Sequence, residues 1–137
     1  MLKKILSMCV LFVLATTLPV MAVDLKPGKY EITIKVEMAG MPGAIPPQTT
    51  TQCLTKEDPV PNSTNMQGCT MKDVVTKGNT MTYNMACDQQ GMKSETSGKM
   101  TYSGNTFEGT NQTKMGAEEG GMTITSIIKG KWIGKCD

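Results

Sequence analysis

The sequence has no histidine and no arginine. Without histidine there is no Ser-His or Cys-His catalytic pair, no imidazole metal ligand and no haem attachment of the Cys-x-x-Cys-His kind. Without arginine the planar fork that grips carboxylates and phosphates in two places is missing too. Aromatic residues are sparse: one Trp, three Tyr and two Phe in 137 residues. Most standard enzyme designs are excluded, and any core has to be filled mainly by other side chains.

Long apolar runs are also missing, except at the start. Met1-Leu2-Lys3-Lys4 is basic, Ile5 to Leu18 is almost wholly apolar, and Pro19-Val20-Met21-Ala22 ends in small residues at the minus-three and minus-one positions. That is the three-part pattern of a signal peptide, here residues 1–22 with cleavage near Ala22. The run is short of the ~20 residues a spanning helix needs, so no integral membrane span is expected after processing. Residues 23–137 then form one exported domain, periplasmic or secreted. Processing removes Lys3 and Lys4 and no acid, leaving twelve lysines against twelve carboxylates. A neutral chain has no electrostatic pull on nucleic acid or anionic lipid.

Four cysteines remain, Cys53, Cys69, Cys87 and Cys136, and none of them stands in a Cys-x-x-Cys redox or zinc spacing. An even number in an oxidising compartment reads as two disulfides. Three pairings are possible. Bridging Cys53 to Cys69 clamps the Pro-containing loop between them and leaves Cys87 to tether the C-terminus through Cys136. A Cys69–Cys87 bridge crosses a single hairpin instead and leaves Cys53 for Cys136. The length of the unstructured loop favours the first, because long loops gain most from a staple.

The rest of the chain reads as all-β. Tyr30, Ile32, Ile34, Val36 and Met38 alternate with Glu31, Thr33, Lys35 and Glu37, the period of a strand with one wet face. Residues 39–47, rich in Gly and Pro, connect to a Thr-rich strand over 48–54. Residues 55–68 form a surface loop carrying Asp58-Pro59 and Pro61-Asn62. Strands follow over 70–76, 80–87, 93–103, 106–115 and 122–129, separated by Gly78-Asn79, Gly104-Asn105 and the 116–121 turn. Turn signals every 8 to 12 residues between short Thr-rich runs predict an antiparallel up-and-down meander of about seven or eight strands, closing toward a barrel or two-layer sheet. Lys129 to Cys136 is one long strand or folds back at Gly130. The fold-back is favoured, because in a simple meander only it brings Cys136 to the end holding the other cysteines.

The order of short motifs adds a family resemblance. Leu25-Lys26-Pro27-Gly28-Lys29-Tyr30-Glu31-Ile32 leads into Met38-Ala39-Gly40-Met41-Pro42, then Gln52-Cys53 and an acidic, Pro-containing loop. Cys69, Gly78-Asn79, Cys87, Ser103 to Gly109 and the terminal Gly130 to Cys136 follow. Together they resemble the bacterial domain-of-unknown-function family 3617 across nearly all of residues 23–137. The resemblance implies an exported, periplasmic protein and assigns no activity, cofactor or catalytic residue.

Three candidate chemistries stand out. Ten methionines lie beyond the signal peptide, and thioethers are soft ligands that select Cu(I). A metal site would use Met38 and Met41 with Met115 and Met122, and it requires three thioethers converging on one point. The bland alternative is that flexible Met fills a core poor in large side chains. Second, the strand face of Met100, Tyr102, Phe107 and Met115 also carries Ser94, Thr96, Gly98, Gly109, Asn111 and Thr113, small and polar residues that leave room for a small apolar ligand lined by Tyr102, Phe107 and Asn111. Third, Met38, Met41 and Ile45 offer an apolar patch to an envelope partner. The acid pairs Glu57-Asp58 and Glu118-Glu119 are adjacent in sequence and face opposite ways on an extended chain, so neither is a ready catalytic dyad. No catalytic residue and no cofactor is expected. The role expected is binding, of an envelope partner first and of a small apolar molecule as the alternative.

Overall fold

A computed structural model describes residues 22–41, 45–62, 67–116 and 121–137. The signal-peptide reading thus lies, apart from Ala22, outside the described residues, as do Glu118 and Glu119.

Seven strands form one antiparallel sheet: β1 (Gly28–Met38), β2 (Gln48–Leu54), β3 (Cys69–Lys77), β4 (Thr80–Gln89), β5 (Met92–Ser103), β6 (Thr106–Met115) and β7 (Met122–Gly134). No helix occurs among the described residues, and hence none long and apolar enough to cross a membrane. The tight turns are where the sequence puts them. Gly78 and Gly104 take positive φ as the first residue of two-residue turns, and Gln90-Gly91 takes it at both positions, the backbone twist that keeps flanking strands paired.

The spatial order is β2-β1-β7-β6-β5-β4-β3. β3 to β7 make the expected meander, and the first strand then docks beside the last, with Lys29 opposite Gly134 and Met38 opposite Ile124. This order puts β2 and β3 at the two edges, both running in the same direction. They cannot pair antiparallel, so the sheet curls without closing.

Strand direction also defines two ends. One end carries Gly28, Leu54, the 78–79 and 104–105 turns and the end of β7. The other carries the start of β3, the 90–91 turn, the end of β6, the start of β7 and the end of β1. The first end is sealed by the segment before β1, where Lys26 N–H donates to Gly104 O at 3.0 Å and Gly104 N–H to Asp24 O at 2.8 Å, with Val23 and Leu25 buried beneath. Residues 55–62 leave the sealed end and lie along the seam between β2 and β3. They bury Val60 and Pro61 and receive a hydrogen bond from Tyr102 Oη at Pro59 O, 3.1 Å.

Two expectations are corrected by this topology. The disulfides are Cys53–Cys136 and Cys69–Cys87, not Cys53–Cys69 and Cys87–Cys136. Cys69 and Cys87 are directly opposed across the β3–β4 hairpin at the open end. Cys53 is at the sealed end, because β1 intervenes between β2 and β7, and there the end of β7 delivers Cys136. For the same reason no fold-back at Gly130 is needed, and β7 is one strand of 13 residues.

The core lies on the inner face of the curl. Tyr30, Ile32, Leu54, Met81, Met100, Tyr102, Phe107 and Ile128 are buried together, with the Phe107 ring 5.4 Å from Tyr30 and 5.9 Å from Tyr102. Among the described residues no polar or charged residue is buried.

Candidate functional site

The strand registers arrange the inner face in rows that cross the sheet. Nearest the sealed end, Tyr102, Phe107, Gly130 and Ile32 lie in register, and Met81, Met100, Gly109, Ile128 and Ile34 make the next row. These rows are filled. Toward the open end come Tyr83, Gly98, Asn111, Ser126 and Val36, then Met85, Thr96, Thr113, Ile124 and Met38. The β5 and β6 positions have become small and polar there, and the face no longer fills itself.

The result is a cleft of about 280 Å³, near the lower bound of small-molecule sites. One wall is apolar, made by Ile34, Ile128, Met85 and the Val60-Pro61 stretch of the crossing loop; the other holds Ser94, Thr96, Asn111, Thr113 and Ser126, and the Cys69–Cys87 bridge lies at the margin. A separate groove of about 410 Å³ lies at the seam, between β3 and residues 56–60.

At the floor, the Tyr83 ring lies over Gly98, where any Cβ would overlap it, and its hydroxyl reaches across β5 to donate to Asn111 Oδ1 at 2.9 Å. The Asn111 Nδ2 group makes no hydrogen bond among the described residues. Thr96 and Thr113 share a hydrogen bond of 2.8 Å between their hydroxyls. Burial pushes the Tyr83 phenol above its ordinary value of 10.0, with the bond to Asn111 opposing it, so the group is a neutral donor at physiological pH. The lining contains no carboxylate and no amine, and its two cysteines are bridged. What the cleft offers is apolar surface plus neutral hydrogen-bonding groups.

Of the residues singled out from sequence, Asn111 lines the cleft. Tyr102 and Phe107 do not: they belong to the filled half and support its floor from behind. Ser94, Thr96 and Thr113 line it as the small-residue pattern suggests. Tyr83, Ile34, Ser126 and Val60 were not foreseen as lining residues. Tyr83 could have been found from the β4–β5 register, which sets it opposite Gly98, and Ser126 from the β6–β7 register, which sets it opposite Asn111; Ile34 could not, because the β1–β7 pairing that places it is non-local.

At the open end the cleft has a methionine rim. Met41, Met92 and Met122 are 51%, 62% and 53% exposed, and Met38 and Met115 are half-buried. Ile45 is half-buried, and residues 42–44 between it and Met41 lie outside the described residues. Met81, Met85 and Met100 sit in the core and Met71 packs against it, so the methionines among the described residues divide into a filling set and a rim set. No group of three or more His, Cys, Asp or Glu that could hold a metal ion exists among the described residues.

No curated protein and no solved structure matches this chain. A family model does, over residues 25–136, from the buried Leu25 to the second cysteine of the Cys53–Cys136 bridge. With the match covering the entire sheet, both disulfides and the cleft, the chain belongs to the family described as protein of unknown function (DUF3617).

Proposed function

We propose that the chain is an exported, periplasmic, non-enzymatic binding domain whose inner cleft carries a small, uncharged, mostly apolar molecule with one hydrogen-bonding group. One observation carries this reading: the inner face is packed solid at one end and lined by small side chains at the other, where Thr96, Asn111, Thr113 and Ser126 leave space facing Ile34, Ile128 and Val60. Export rests on the N-terminal signal pattern and on two disulfides, which persist in oxidising compartments. The non-enzymatic reading rests on the lining. Its one titrating group, Tyr83, is held above 10, far from the range in which a side chain shuttles protons at neutral pH.

Native mass spectrometry of protein purified from the periplasm without added ligand tests this. An organic adduct is expected, together with a denatured mass matching residues 23–137 with two disulfides. Ser126→Phe, which fills the cleft, should remove the adduct and abolish the fluorescence gain of the neutral apolar dye Nile red. Bare wild-type protein whose dye response survives Ser126→Phe would refute the reading.

The exposure of Met41 beside half-buried Met38 and Ile45 favours a second reading, docking of an envelope protein on that side of the mouth. Met41→Glu should abolish such docking and leave dye binding intact.

A further inference from the structure

We propose that the mouth of the cleft is a soft-metal site, in which the thioethers of Met38, Met41, Met115 and Met122 bind one Cu(I) ion. The registers carry the argument. Met115 and Met122 are directly opposed on β6 and β7. Met38 is opposed to Ile124, which makes it the diagonal neighbour of Met122 on the same face. Met41 pairs back onto Met38 in an isolated bridge, its N–H donating to Met38 O at 3.1 Å. Thr113, two residues before Met115 and opposed to Ile124, lines the cleft, which fixes this as the inner face. Three separate chain segments thus deliver four thioethers to one rim.

Directly opposed residues have Cβ atoms about 5 Å apart and diagonal ones about 7 Å, within the span of an unbranched side chain with three rotatable bonds. Packing does not call for these residues: Met41 and Met122 are about half exposed, while the core draws on Met81, Met85 and Met100. The chemistry is selective. Neutral sulfur ligands hold a soft monovalent ion, and the described residues supply no cluster of carboxylates, imidazoles or thiolates that would favour Mg²⁺, Ca²⁺ or Zn²⁺. Met92, diagonal to Met115 on the far side, can add a further donor. The ion is held without change of oxidation state.

The test uses the disulfide-intact exported protein, titrated anaerobically with Cu(I) kept reduced by ascorbate against a chromogenic Cu(I) chelator, and separately with redox-inert Ag(I). One equivalent of either ion should bind, Zn²⁺ should not, and the ¹³C methyl signals of Met38, Met41, Met115 and Met122, assigned through single Met→Leu variants, should shift with Ag(I). The quadruple Met→Leu variant, which preserves volume, should lose at least about tenfold in Cu(I) affinity, whereas Met71→Leu should bind as wild type. Absence of stoichiometric binding, methyl shifts that spare these four and fall on other methionines, or undiminished affinity of the quadruple variant would each overturn the site. The methyl shifts are read on wild-type protein, so they decide even if that variant fails to fold. None of these results bears on the organic adduct or dye response of the cleft.

Discussion

At the scale of single residues, the inner face depends on glycines set opposite large side chains. Gly98 faces Tyr83, Gly109 faces Met100 and Gly130 faces Phe107, each across one pair of strands. A Cβ at any of the three would overlap the partner's side chain. The missing side chain lets its partner lie flat across the neighbouring strand, which is how Tyr83 reaches Asn111 and how Phe107 meets Tyr30 two strands away. Gly98→Ala should cost about 1–3 kcal/mol, the usual penalty for overpacking, read as a lower urea midpoint at unchanged slope. An unchanged midpoint would mean that the ring does not depend on that space.

Tyrosine titration belongs to the same scale. Burial raises the phenols of Tyr30, Tyr83 and Tyr102 above 10.0, Tyr102 most. The unfolded chain loses these protons near pH 10 while the folded chain keeps them. The folded state therefore binds more protons above that pH, and stability must fall as pH rises beyond about 10. Tyrosinate absorbance is expected to appear together with loss of the β-sheet circular dichroism. Ionisation near pH 10 with the sheet intact would contradict the burial of all three.

At the scale of elements, the two disulfides do different work. Cys69–Cys87 ties a hairpin whose strands are already paired, whereas Cys53–Cys136 joins residues 83 apart across the inserted β1. In the chain-entropy account, closing loops of these lengths is worth about 3 and about 4.5 kcal/mol respectively. Cys53→Ser with Cys136→Ser should thus lower the urea midpoint more than Cys69→Ser with Cys87→Ser. Equal losses would indicate that the unfolded chain already holds its termini close together. The hairpins themselves were readable, since Gly78-Asn79 and Gly104-Asn105 between Thr-rich runs specify turn and register locally.

At the scale of the whole molecule, an odd number of antiparallel strands leaves a seam between two edges that run the same way. The seam is strapped by the 55–62 stretch through Val60, Pro61 and the Asn62 N–H bond to Gln52 Oε1, 3.1 Å. Native-state hydrogen exchange should show this asymmetry. Amides of β5, β6 and β7, paired on both sides, should exchange only through global unfolding, and those of β2 and β3 should open earlier. Uniform protection across all seven strands would argue that the sheet closes in solution.

The sequence by itself determined what is local: strand period in β1, turns at glycine, the β3–β7 meander, and the small polar positions of β5 and β6 that line the cleft. These follow from side-chain alternation and backbone preference over a few residues, and they put Asn111, Thr96 and Thr113 on one face of the sheet. The tertiary structure alone decided where β1 goes. Pairing residues 29–38 with 124–134 is a contact between the two ends of the sheet-forming chain, and no periodicity announces it. That one pairing reverses the end at which Cys53 lies and so sets the disulfides. It also brings Ile34 to the cleft and Met38 beside Met122. Hydrophobic alternation states which face of a strand is buried; which neighbour covers its edge is settled only when the whole inner face packs at once.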